Sequence, residues 1–84
     1  MQAELFHRIA EPGSAEVRRL VEKLELGSRV RFRNVAFPEA ARDLESHGGG
    51  ATPALWDGER LHTGTARVAG RLRVLRRPPG PEGR

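Results

Sequence analysis

Asp57-Gly58, between Ala54-Leu55-Trp56 and Glu59-Arg60-Leu61-His62, sets the pairing of everything near it. A tight primed turn needs positive φ at both central residues, and Asp-Gly supplies them, so the flanking segments are expected to be antiparallel neighbours. Around this dipeptide, Gly48 to Thr65 (GGGATPALWDGERLHTGT) reads as a glycine loop, a Thr52-Pro53 lead-in, an apolar strand, the turn, a second strand and a Gly-containing start to a last helix.

The rest of the chain supplies partners for that hairpin. Ala3 to Ile9 carries Leu5, Phe6 and Ile9 in a short run that suits a central strand, although by length alone a helix is open. His7 within it reads as a packed or half-exposed neutral residue. After Glu11-Pro12-Gly13-Ser14, the residues Val17, Leu20, Val21 and Leu24 fall at i, i+3, i+4 and i+7, one apolar helix face opposite Glu16, Arg18, Arg19, Glu22 and Lys23. Ser14 is placed to cap this helix, Glu16 adds charge near its positive end, and Gly27 is the expected left-handed stop.

Arg29 to Val35 alternates, with Val30 and Phe32 expected inward and Arg29, Arg31 and Arg33 outward, as on a solvated edge that resists pairing with another chain. Pro38 opens a second helix with Ala40, Ala41 and Leu44 as its apolar stripe, and Gly48 ends it. Gly48-Gly49-Gly50 lacks the Lys and Ser/Thr of a phosphate loop and reads as a flexible connection. Thr65 to Leu75 presents Val68, Leu72 and Leu75 on a third helix, while residues 77–84, rich in Pro, Gly and Arg, are expected to be a disordered tail behind a domain of residues 1–76. The order is strand, helix, strand, helix, two-strand hairpin, helix. A right-handed strand–helix–strand unit makes a parallel pair and the hairpin adds two antiparallel strands, giving an α/β fold with a four-stranded mixed sheet and helices on both faces.

Composition narrows the chemistry. An 84-residue chain holds one modest core, burying about 60% of its unfolded surface or somewhat more. With no Cys, disulfides, thiolate zinc sites and thiol redox chemistry by this chain alone are excluded. No apolar run reaches the roughly 18 residues of a membrane span, and the first residues do not form a signal segment, so a cytoplasmic protein without a membrane partner is expected. The net charge of +4 resides after residue 70, where five Arg face only Glu82. Lacking interleaved aromatics, this Arg cluster is read as a solvated helix end rather than a nucleic-acid surface.

The pattern from Ala3 to Leu75 resembles the glutaredoxin branch of thioredoxin-like folds, which the N-terminal domains of glutathione transferases share. Thr52-Pro53 matches that family's Thr/Val-Pro before the third strand, and Thr63-Gly64-Thr65 its Gly-containing turn before the last helix. The resemblance implies a βαβαββα order and a cis Thr52-Pro53 bond. It also implies a Cys-Pro-x-Cys at the start of the first helix, where this chain has Glu11-Pro12-Gly13-Ser14. Pro12 fits. Glu11 and Ser14 stand where the thiols should be, so dithiol and monothiol mechanisms are both lost.

What the resemblance leaves is a groove that binds without sulfur. Thr52, before Pro53, would offer backbone groups to an extended protein or peptide partner, with Glu11, Pro12, Ser14, Gly64 and Thr65 around the rim. The expected function is a binding or interaction module with no catalytic residue, no metal and no resident cofactor. The alternative is a glutathione-binding or glutathione transferase-like protein in which Ser14 stabilises the ligand's thiolate. Against that, Gly64-Thr65 only partly matches the acidic-then-Ser pair that holds the γ-glutamyl end.

Overall fold

The structure, a computed structural model, describes residues 2–76, and the tail expected to be disordered lies outside them. Strand β1 (Ala3–His7) is the sheet's pivot: it pairs parallel with β2 (Val30–Asn34) and antiparallel with β3 (Ala54–Trp56), which pairs antiparallel with β4 (Leu61–Thr63). The strand order is therefore β2-β1-β3-β4 in one mixed four-stranded sheet. Three helices complete this α/β architecture, α1 (Pro12–Lys23), α2 (Pro38–Ser46) and α3 (Thr65–Arg76). Among the described residues no helix is long and apolar enough to cross a membrane.

Strand alternation divides the core into two layers. Leu5 and Leu55 face Val17 and Val21 of α1 and Val68 and Leu72 of α3, all buried. Phe6 and Ala54 point the other way, onto Leu44 of α2, with Trp56 and Leu61 packed at the margin. Each fully buried Leu, Val or Phe contributes about 1.5–3 kcal/mol of apolar burial, so the α1/α3 layer carries most of the stability. Ile9, expected at the end of the first strand, lies beyond β1 and is 64% exposed.

Both α1 and α2 begin at a proline and close with the same device. Pro12 and Pro38 take the first helical position, where a missing N–H is harmless, so Glu11 and Phe37 become the caps. Ser14 is thus in the first turn and does not cap α1. Helix α1 ends at Leu24, and Glu25, with φ +58°, rather than Gly27, adopts the left-handed conformation. The Leu26 N–H donates to the Val21 carbonyl and the Glu25 N–H to that of Glu22, which is the Schellman pattern. Burial of Leu26 beside Val21 fixes the stop two residues before the expected one. Helix α2 repeats the pattern, with Gly48 at φ +88° and the Gly49 N–H bonded to the Leu44 carbonyl. Ala41, expected on its apolar stripe, is exposed.

Three further expectations are corrected. Gly49 does not belong to a free connection: a Cβ there would meet Leu61 Cδ2 at 2.4 Å and Leu44 Cδ1 at 2.7 Å, so glycine is what lets this backbone lie on the α2 layer. The hairpin is displaced by one residue. Trp56 pairs with Leu61, so Gly58 and Glu59 are the central residues, and positive φ occurs at Gly58 and not at Asp57, the sign pattern of a II′ turn. Asp57 sits at the turn's first corner because its Oδ1 accepts the N–H groups of Glu59 and Arg60, each at 2.8 Å. On β2, Val30 is buried but Phe32 is 42% exposed. Arg33 is not solvated: it bridges Glu4 at 3.0 Å and Asp43 at 2.7 Å and lies 5.5 Å from the centre of the Phe6 ring.

Candidate functional site

The carboxyl end of β1 runs into a loop whose carbonyls are held by α1. Arg18 Nη1 donates to the Arg8 carbonyl at 3.0 Å, Nη2 to that of Ile9 at 3.3 Å, and Nη1 also lies 3.0 Å from His7 Nδ1. A guanidinium cannot accept, so Nδ1 is the acceptor and the ring proton sits on Nε2. Burial first, and the Arg18 charge second, push the His7 imidazole below its ordinary 6.5. The neutral ring expected for His7 follows from these two causes.

Inside this loop lies a closed set of hydroxyls around one carboxylate. Ser14 is 0% exposed; its Oγ accepts the Arg8 N–H at 3.1 Å and donates to Glu11 Oε1. Thr52 Oγ1 donates to the same Oε1 at 2.8 Å and accepts from Arg8 Nη1 at 3.2 Å. The Ser14 hydroxyl, joined by that of Thr52 and by the Arg8 charge, outweighs burial and holds the Glu11 carboxyl below the ordinary carboxylate range. At the cap position of α1 that negative charge also meets the positive end of the helix.

The other expected residues meet at the same place. A Cβ on Gly13 would stand 2.5 Å from Thr65 Oγ1 and 3.5 Å from Pro53 Cδ, so the start of α1, the start of α3 and the proline share one contact. The Gly64 N–H donates to the Pro53 carbonyl at 2.9 Å. Thr52-Pro53 is cis, as expected. Pro12 is exposed and Pro53 is buried. Among the described residues, the backbone N–H and C=O of Thr52 have no hydrogen-bond partner. All seven residues expected from the sequence, Glu11, Pro12, Ser14, Thr52, Pro53, Gly64 and Thr65, thus border one region.

Comparison with family models, with curated proteins and with solved structures finds no match to this chain.

Sequence reasoning missed Arg8 and Gly13. Nothing in the sequence marks Arg8, one surface Arg among many, as a partner for a threonine 44 positions away. Gly13 had a signal, since a glycine in the first turn of a helix is costly unless another backbone or side chain must come close. The chemical capacity of this region is limited: both hydroxyls donate to Glu11, whose carboxyl is held below the ordinary range and is therefore a weak base, and Ser14 is fully buried. Among the described residues no group of three or more His, Cys, Asp or Glu could hold a metal ion.

A second polar cluster lies at the hairpin. Asp57, with its side chain 5% exposed, accepts His62 Nε2 at 2.8 Å through Oδ2, and Arg71 Nε lies 3.1 Å from the same oxygen without pointing its hydrogen at it. Burial works against the charge on Asp57. The bonds from His62, Arg60 and Glu59, with the Arg71 charge, overcome it and hold the carboxyl far below the ordinary range. Arg71, expected on a solvated helix end, instead anchors α3 to the turn. With no hydroxyl or thiol among these contacts, the cluster is an anchor.

Proposed function

We propose that this chain is a glutaredoxin-like, thioredoxin-fold domain that has given up redox chemistry and serves as a binding or interaction module for an extended protein or peptide partner. The observation that carries this reading is the contrast across the site. The position where a reactive thiol would develop holds a carboxylate already bonded to two hydroxyls, while the backbone of Thr52 opposite is left unbonded among the described residues. An extended segment laid along Thr52 would satisfy that donor and acceptor by strand addition. The strand order, with the α1 start, the Thr52-Pro53 segment and the α3 start converging at one end, supports the same reading.

The Ser14 geometry weighs against the glutathione alternative. A hydroxyl that is 0% exposed, accepting from Arg8 and donating to Glu11, has no proton to offer a ligand thiolate. Glu11 would also repel a thiolate arriving there.

The test uses amide shifts of the isotope-labelled full chain. Peptides selected from a displayed library of extended sequences are expected to shift Thr52 and Gly64 saturably, and glutathione at about 10 mM, far above an ordinary small-ligand Kd, is expected to leave Ser14, Thr52 and Thr65 unmoved. Saturable glutathione shifts at those amides, disulfide-reductase activity, or selected peptides that perturb only other surfaces would overturn the reading.

A further inference from the structure

Strand β2 is one of the sheet's two edges, and its composition points to a second binding surface, separate from the Thr52 region by the width of β1. In a parallel pair only alternate residues of a strand bond to a given neighbour. The Ala3 N–H donates to the Arg29 carbonyl and the Val35 N–H to that of His7, so the odd-numbered residues of β2 face β1. The N–H and C=O of Phe32 therefore face outward. The Phe32 side chain is 42% exposed and its ring meets His7 edge-on at 5.5 Å, and it lines, with Phe37, a depression of about 260 Å³ at the end of the strand. Phe37 is 64% exposed.

The opposite face of the strand is charged, and its charges are unequal. Arg33 is clasped by Glu4 and Asp43. Arg31 on β2, Arg29 just before it and Arg42 on α2 are exposed, so with Arg33 four arginines stand against the three carboxylates of Glu4, Asp43 and Glu39, and Arg31 has no carboxylate of its own. A second copy of this chain does not answer Arg31: antiparallel self-pairing centred on Phe32 sets it opposite Arg33, whose two carboxylates are already engaged, so no free carboxylate reaches it.

We infer that the β2 edge takes an extended segment of an acidic protein partner, with apolar side chains turned to Phe32 and acidic ones to Arg31, alternating along the strand. The backbone of Phe32 supplies the ladder bonds, the two phenylalanines the apolar seat, and Arg31 the choice of partner. The arginine that a second copy leaves unanswered selects the occupant.

The experiment titrates the full chain with a blocked peptide of alternating Glu and Val, and with its alternating Lys and Val counterpart. The acidic peptide is expected to shift the amides of Val30, Phe32 and Asn34 saturably and to slow hydrogen exchange at the Phe32 N–H. Arg31→Glu, at an exposed position, is expected to weaken that binding about tenfold or more. Phe32→Pro removes the outward donor while sparing every bond to β1, and is expected to abolish the saturable peptide-induced shifts at the Val30 and Asn34 amides. Equal binding of the two peptides, no saturation at about millimolar peptide, or concentration-dependent dimerisation through the same amides without peptide would each overturn the inference.

Discussion

Gly13 and His7 show how single positions hold the loop after β1 in place. A methyl group on Gly13 would fall 2.5 Å from Thr65 Oγ1, and relieving that overlap must turn the Thr65 side chain or part the starts of α1 and α3. Gly13→Ala is expected to cost about 1–3 kcal/mol, as overpacking does, and Thr65→Ala in the same chain should recover part of the loss; urea unfolding of the two singles and the double measures the coupling. His7 gives a pH dependence whose sign follows from its surroundings. Burial and Arg18 depress its folded value below the ordinary 6.5, so the unfolded chain binds a proton that the folded chain refuses. Stability is therefore at its full value above 6.5 and falls as the pH drops from there towards the folded value, a slope that His7→Gln should remove in denaturation curves taken across that range.

Helix ends and strand faces are where local pattern and structure part company. The apolar spacing of Val17 and Val21, the prolines at the two helix starts and Gly48 after α2 were all legible, because each depends on neighbours within a turn. The stop of α1 was not, because Leu26 is drawn into the core by residues distant in sequence and forces Glu25 into the left-handed region at φ +58°. A left-handed residue with a Cβ costs about 1–2 kcal/mol, partly offset in glycine by its looser unfolded chain. Glu25→Gly is expected to stabilise the protein by about 0.5–1 kcal/mol, read from the shift of its urea midpoint at constant slope. For β2 the alternation was legible and its meaning was not. On an edge strand, position alone does not tell a buried Val30 from an exposed Phe32, nor a solvated Arg31 from an Arg33 clasped between Glu4 and Asp43. In the candidate site the seven expected residues do converge, but the roles of Ser14 and Glu11 depend on the loop's path, which no periodicity encodes.

As a domain, the protein rests on a thick layer and a thin one. The α1/α3 side buries most of the aliphatic core, whereas α2 is held by Phe6, Leu44 and Ala54 with Trp56 and Leu61 at the margin. Phe6 is 0% exposed and spans the thin layer, so Phe6→Ala is expected to cost about 3–5 kcal/mol. Against a total of about 5–15 kcal/mol, that loss should leave a marginally folded or unfolded chain, and far-UV circular dichroism in urea would show it. The thin layer also carries its own reporter. The only tryptophan in the chain, Trp56, lies flat against the His47 imidazole at the end of α2, with ring centres 3.8 Å apart and planes 11° off parallel. Lifting α2 from the sheet would part those rings and let water reach the indole. The colour and brightness of the protein's own ultraviolet emission would then register that one helix leaving, with no dye attached and with the remaining helices still seated.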